Sequence, residues 1–232
     1  MKKLMLLLLM LSMLSIWADE QIDPLWQKAS DIASRNMNWV PGEMIVETSA
    51  LNENGDKMMS ISLMFSYELE DGDIAAYYDG GTRMGNLIPE SDQMVQQILM
   101  QDMHPIDQSL FYNNESWNLQ FKNTGITEKK LKHKCTIFEY TCEQPSEDGL
   151  AIPTTGKVWL DSETGAPVYN EQEMIPPQEM VEKITSKYTY DYKQGELTTK
   201  KMESVTSVNA MGQKGKMLNV AKFKKHWRYT EE

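Results

Sequence analysis

The chain is 232 residues long, with 41% apolar or aromatic residues and 25% charged ones, a globular balance that excludes wholesale disorder. Its net charge of −11 works against non-specific nucleic-acid binding, because phosphates need a basic face. Two cysteines and three histidines are too few for a disulfide-built scaffold, a four-thiolate zinc site or histidine-rich metal chemistry, so neither a metal nor a cofactor is expected.

Lys2 and Lys3 precede an unbroken Leu/Met run from Leu4 to Leu11, and Ala18 stands just before Asp19 and Glu20. A basic start, a short apolar core and a small residue before a polar stretch make a secretory signal over residues 1–18. The run stops short of the ~20 residues that a membrane span needs. No cysteine near the cut offers a lipid acceptor, so the expected mature chain, residues 19–232, is a soluble exported protein in the periplasm. The absence of linkers and repeats points to one domain.

Asp23-Pro24 opens the first helix, with Asp as cap and Pro preset for the first turn. Leu25, Trp26, Ala29, Ile32 and Ala33 then recur at helical spacing. After Gly42 the period changes to two. Met44, Val46, Thr48 and Ala50 alternate with polar neighbours, and Asn52 to Gly55 turn the chain. Met59, Ile61, Leu63, Phe65, Tyr67 and Leu69 form the clearest strand, dry at odd positions and wet at Ser60, Ser62 and Ser66. Asp71-Gly72 is a hairpin turn. A third strand over Ile74 to Tyr78 ends at Asp79-Gly80-Gly81. Residues 89–103 return to helical spacing, with Met94, Val95, Ile98, Leu99 and Met103 on one side. A looser stretch to Gly125 carries Leu110, Phe111, Trp117, Leu119 and Phe121 as buried points.

From Lys132 onward the pattern is strands and hairpins. Phe138, Tyr140 and Cys142 share one face. Gly156 to Leu160 and Ala166 to Met174 flank a turn. Ile184, Tyr188, Tyr190 and Tyr192 line another dry face, followed by a strand from Leu197 to Val208. One last strand places Met217, Ala221, Phe223, Trp227 and Tyr229 together, opposite Lys222, Lys224, His226 and Arg228. About eight to ten hairpin-linked strands and two helices predict a mainly β, α+β fold: an antiparallel sheet with one dry face partly covered by helices.

No HExxH, GxSxG or phosphate-cradling glycine loop is present, so no catalytic residue is assigned and the protein is not expected to be an enzyme. A hydrolase would need a nucleophile–base pair that the sequence does not offer. Cys135 and Cys142 would point to opposite faces of one strand, roughly 23 Å apart at ~3.3 Å per residue, which opposes a disulfide between them. The methionines on dry faces suit a deformable apolar surface.

Several segments together carry a resemblance. Asp23-Pro24-Leu25-Trp26 opens the helix, Asn38-Trp39-Val40-Pro41-Gly42 leads into a strand, and Gly156-Lys157-Val158-Trp159-Leu160-Asp161 precedes Thr164-Gly165-Ala166-Pro167. In this order the chain resembles the outer-membrane lipoprotein-sorting proteins of the LolA/LolB-like superfamily, in a divergent branch. The resemblance implies a strongly curved antiparallel sheet, a half-open barrel, with helices as a lid over an apolar cavity. It implies a monomeric periplasmic carrier of lipoprotein acyl chains or another lipid, working between an inner-membrane exporter and an outer-membrane acceptor. The alternative it leaves open is an envelope sensor or adaptor that uses the same fold to bind a protein partner. Arg35 and Arg83 do not sit in a motif matching the family's gating arginine. The cavity-lining residues expected on this view are Leu63, Phe65, Met94, Leu99, Phe138, Tyr188 and Phe223.

Overall fold

The structure, a computed structural model, describes residues 22–70, 73–99, 109–112, 117–145, 151–176, 180–210 and 213–229. The expected signal over residues 1–18, the Asp71-Gly72 turn and the last residues of the expected second helix, 100–103, lie outside the described residues. No helix among the described residues is long and apolar enough to cross a membrane.

Three helices and thirteen strands are present among the described residues. The helices are α1 (Pro24–Ser34), α2 (Gln93–Leu99) and α3 (Ser109–Tyr112). The strands of the first half are β1 (Trp39–Val40), β2 (Glu43–Leu51), β3 (Lys57–Glu70), β4 (Asp73–Arg83) and β5 (Asn86–Leu87). Those of the second are β6 (Gln120–Lys130), β7 (His133–Pro145), β8 (Ala151–Asp161), β9 (Pro167–Met174), β10 (Val181–Lys193), β11 (Glu196–Ala210), β12 (Gln213–Lys224) and β13 (Trp227–Arg228). Eleven strands make one antiparallel sheet in the order β5-β4-β3-β2-β12-β11-β10-β9-β8-β7-β6, and β1 pairs separately with β13. The end strands β5 and β6 do not pair with each other. The sheet is therefore open, as a half-barrel is, and not a closed barrel.

The alternation read from the sequence sets the register. Ile61, Leu63, Phe65 and Tyr67 are buried while Met64 between them is 40% exposed, as a strand with one dry face requires. Tracing partners across the sheet puts Leu63, Val46, Ala221, Met202, Tyr188, Asn170, Val158 and Phe138 in one cross-strand row, on one face. The helices cover this inner face. On the outer face Lys122, Glu139, Lys157, Glu171, Lys187 and Glu203 form another row, one residue per strand with alternating sign. Lys157 lies 2.9 Å from Glu139 and Lys187 lies 3.6 Å from Glu171. A one-residue slip between neighbouring strands would break such pairings and turn the dry faces outward.

Two apolar clusters share the inner face. Under α1, Trp26, Ala29, Ile32 and Ala33 pack on Phe138, Val158, Leu160 and Leu197, with Leu110 and Phe111 of α3 beside them. Under α2, Val95 packs on Ile61, Leu63, Phe65 and Tyr67, with Val40 of β1. A third, small cluster of Cys135, Ile137, Trp159 and Val168 lies on the outer face, where Lys130 stands over the rings of Trp159 and Tyr169. Cys135 and Cys142 thus belong to different faces of β7. Both are free and buried.

Four sequence expectations are corrected. The third strand does not end at Gly80-Gly81; β4 bulges there, with Gly80 at φ 124°, and continues to Arg83. The second helix starts at Gln93, because the Asp92 side chain caps Met94 N–H at 3.1 Å. The loose stretch before Gly125 holds α3 and an edge strand, β6, which runs on through Gly125 to Lys130. The last expected strand is two, broken at Lys225 with φ 51°, which sends Trp227 to pair with Val40 and leaves His226 half-buried against the Thr199 carbonyl at 3.0 Å.

Candidate functional site: the inner face of the sheet

The seven residues expected to line one apolar cavity are divided. Leu63 and Phe65 lie in the α2 cluster, with Met94 and Leu99 packed against it. Phe138 lies in the α1 cluster, seven strand-to-strand steps from β3, roughly 34 Å along the sheet at ~4.8 Å per step. Phe65 and Phe138 have no exposed surface, so both are packing residues as the structure stands. Tyr188 and Phe223 are half-buried and belong to neither cluster. The five strand residues share the parity of the inner face, but apolar periodicity could not tell which were neighbours.

Between the clusters the inner face is not apolar. The row that begins at Ile61 continues through Thr48, Asn219, Ser204, Ser186 and Gln172, one residue per strand. Thr48 Oγ1 donates to Asn219 Oδ1 at 2.8 Å. Thr48, Asn219 and Ser204 are half-buried, whereas Ser186 is 3% exposed. The flanking row supplies Met59, Ala50, Met217, Thr206, Ile184 and Met174, of which Met59 and Met217 are exposed. The middle of the face thus pairs hydrogen-bonding groups with flexible thioethers. The signal for this band was present in the sequence: Ser186, Ser204 and Asn219 occupy the same parity as the dry residues of their strands. A search for apolar alternation passes over them.

One end of the polar band is fixed by a buried network. Gly156 has no side chain, so the Tyr140 ring lies over β8; a Cβ there would come within 2.5 Å of Tyr140 Cζ and Oη. The phenol thereby crosses from β7 to β9, 2.9 Å from Asn170 Oδ1 and 3.0 Å from Gln172 Oε1. Gln144 Nε2 also donates to Gln172 Oε1 at 3.3 Å. Burial holds the Tyr140 hydroxyl well above its ordinary pKa, against the opposing bond to Asn170, so it stays protonated and acts as a donor. The same cause raises Tyr67 and pushes the Cys135 thiol up to about 11, assisted by Asp161. Burial thus favours the neutral form of all three groups.

Two cavities lie toward the β6–β8 side. One of about 700 Å³ is lined by residues including Leu119, Gln120, Cys142, Glu143 and Thr154. The other, of about 540 Å³, is lined by Tyr140, Gly156, Gln172 and outer-face residues such as Lys157 and Glu171. Neither is lined by any of the seven expected residues. No group of three or more His, Cys, Asp or Glu side chains is placed to hold a metal ion among the described residues.

No protein-family model matches the chain, and no curated protein does. Two solved structures are similar to it at 8% identity, covering 89% of this chain and 98% of theirs: the Pseudomonas aeruginosa MucA/MucB complex, with a TM-score of 0.27, and MucB in complex with MucA(peri), with a TM-score of 0.25. Likeness that remote carries no argument about function, which rests on the residues of the inner face.

Proposed function

We propose that the chain is an exported envelope protein whose inner sheet face binds a polypeptide partner, as a sensor or adaptor, and performs no covalent chemistry. The observation that carries this reading is the polar row across the middle of that face, where Thr48, Asn219 and Ser204 are half-buried hydrogen-bonding residues on successive strands. An acyl tail laid on that row would cover hydroxyl and amide groups without offering them a bond, at a cost of about 1–3 kcal/mol for each group left unpaired. A polypeptide brings its own N–H and C=O groups to the same positions. Its apolar side chains have Met59, Met217 and Ile184 to meet, and methionine adapts to varied partners.

The second reading is the lipid carrier implied by the sequence resemblance. The methionine-bearing row favours it, because a run of apolar side chains gains ~0.8 kcal/mol for each methylene it shields from water. One experiment separates the two. A photo-reactive amino acid at Met217, activated in cells, should yield a polypeptide adduct that Ser204→Leu diminishes. An acyl lipid as the adduct, with the same lipid in an organic extract of the purified protein, would overturn the proposal in favour of the carrier.

A further inference from the structure

The two edges of the eleven-stranded sheet are guarded differently. At β6 the register shifts between Asn123 and Thr127. The Asn123 side chain takes Gly125 N–H at 2.9 Å and the Thr124 hydroxyl takes Ile126 N–H at 3.2 Å. A bulge, self-bonded donors and the exposed Lys122 and Lys129 are the devices by which edges avoid unwanted pairing.

At the opposite edge the bulge of β4 lies beyond Tyr78, and the stretch before it has none. β5 covers β4 only at Thr82 and Arg83. Residues 73–78 pair with β3 in unbroken register, from Asp73 opposite Glu70 to Tyr78 opposite Phe65. Among the described residues no backbone hydrogen bond reaches them from the other side. Among the described residues, alternate N–H and C=O groups of this stretch thus have no partner on this side, a template for one more strand. The segment contains neither Lys nor Pro, and the small Ala75 and Ala76 lie at its centre.

The flanks define what would fit. On the outer face Glu68, Glu70 and Asp73 are exposed, with the Tyr77 hydroxyl bonded to Glu70. On the inner face Ile74, Ala76 and Tyr78 are half-buried against the α2 cluster. We infer that the open edge of β4 takes an extended segment of a polypeptide partner whose side chains alternate basic and apolar, the basic ones meeting Glu68, Glu70 and Asp73. Antiparallel pairing supplies the main-chain bonds and the alternate pockets supply selectivity. A second copy of this chain fits poorly, since its own residues 73–78 carry no basic side chain to meet these acids. The inference rests on a polypeptide as partner but not on the inner face as its seat.

The test uses the full chain and a short fluorescent peptide alternating lysine and valine. Binding by anisotropy, weakened at least tenfold when alternate peptide nitrogens are methylated, is expected. Binding should also slow amide exchange in residues 73–78. Glu68→Lys with Glu70→Lys, both on the surface, should weaken it roughly tenfold through charge alone. Equal binding of the methylated peptide, protection located elsewhere, or no binding by the unmodified peptide would each overturn the inference. So would a dimer in sedimentation whose residues 73–78 are protected without peptide. A polypeptide adduct at Met217 alongside a failed peptide test rejects the edge alone; a lipid adduct alongside a successful one rejects the inner-face reading alone.

Discussion

On the β6–β11 half, α1 sets Trp26 among three aromatic rings, stacked on Phe121 at 4.2 Å and tilted against Phe138 and Phe111 at 5.4 and 5.8 Å. On the β2–β4 half, α2 contributes one buried residue, Val95, with Met94, Ile98 and Leu99 only partly covered. The first helix has eleven residues and a cap in which the Asp23 carboxylate takes Leu25 N–H at 2.8 Å. The second has seven residues and is tied at its start by an exposed ion pair between Arg83 and Asp92. Each helix has an Asp cap, Asp23 on Leu25 N–H and Asp92 on Met94 N–H, but length and aromatic burial favour α1. The same sheet therefore carries a firmly seated cover and a lightly seated one, and the second is the place to expect local opening.

The largest expected effect breaks the firm side. Trp26→Ala should cost about 3–5 kcal/mol in urea unfolding, as for other buried aromatics cut to alanine. Trp26→Phe should cost clearly less, because the Trp26 Nε1 is buried without a partner and its removal relieves an unpaired donor. Next, Tyr140→Phe should cost about 1–3 kcal/mol by removing the donor to the buried Asn170 Oδ1. Gly156→Ala should destabilise as well, since its Cβ displaces the same phenol. On the light side Val95→Ala should cost roughly 1–2 kcal/mol, and amide exchange in α2 should outpace that in α1 in the unaltered protein. Exchange that is equally slow in both helices would end the contrast.

Smaller effects sharpen it. Asp23→Ala should cost about 1 kcal/mol through the lost cap, whereas Arg83→Ala should cost under ~0.5 kcal/mol, because its pair is solvent-exposed. The last is a pH effect at the seam between the halves, where His226 bonds to Thr199 of β11 and Trp227 Nε1 donates to the Tyr67 carbonyl of β3. Burial lowers the His226 pKa below its ordinary 6.5, outweighing the opposing Thr199 bond and Asp191. The neutral ring is favoured in the folded state, so its contribution is intact above the unfolded value and is lost as pH falls below it. Thermal melts should drop between pH 7 and 5 by a small amount that His226→Gln removes.

The elements that were legible in the sequence have strict periods. α1 showed its cap and its dry face, and β3 showed Ile61, Leu63, Phe65 and Tyr67, because each period there reports a single contact surface; Met59 and Leu69 at the ends of the same run are exposed. β6 was not legible, since a bulge resets its parity and, as an edge strand, it carries mostly exposed side chains. The break at Lys225 was hidden because Trp227 and Tyr229 continue the parity of Phe223 although the chain has turned away. The candidate site was the least legible. Burial of Leu63, Phe65 and Phe138 follows from local pattern, but their separation depends on strand order, above all on the pairing of β2 with β12. The polar band is made by Ser186, Ser204 and Asn219, residues that a hydrophobic pattern treats as interruptions.

That pairing of β2 with β12 has a consequence for the order in which the chain can assemble. β2, β3 and β4 meet one another early, as do β6 to β11, each set through hairpins or short connections. Among the described residues, the strand that links the two sets within the sheet is β12, residues 213–224. As the chain emerges from a ribosome, it therefore holds two incomplete sheets until residues 213–224 are free. Closure waits on a contact of very long sequence separation, the slow kind in folding. Until then β2 and β11 each expose an open side to solvent and to other chains. A chain cut before residue 213 should retain two separate sheets and aggregate, whereas supplying the missing strand in trans as a peptide should join them.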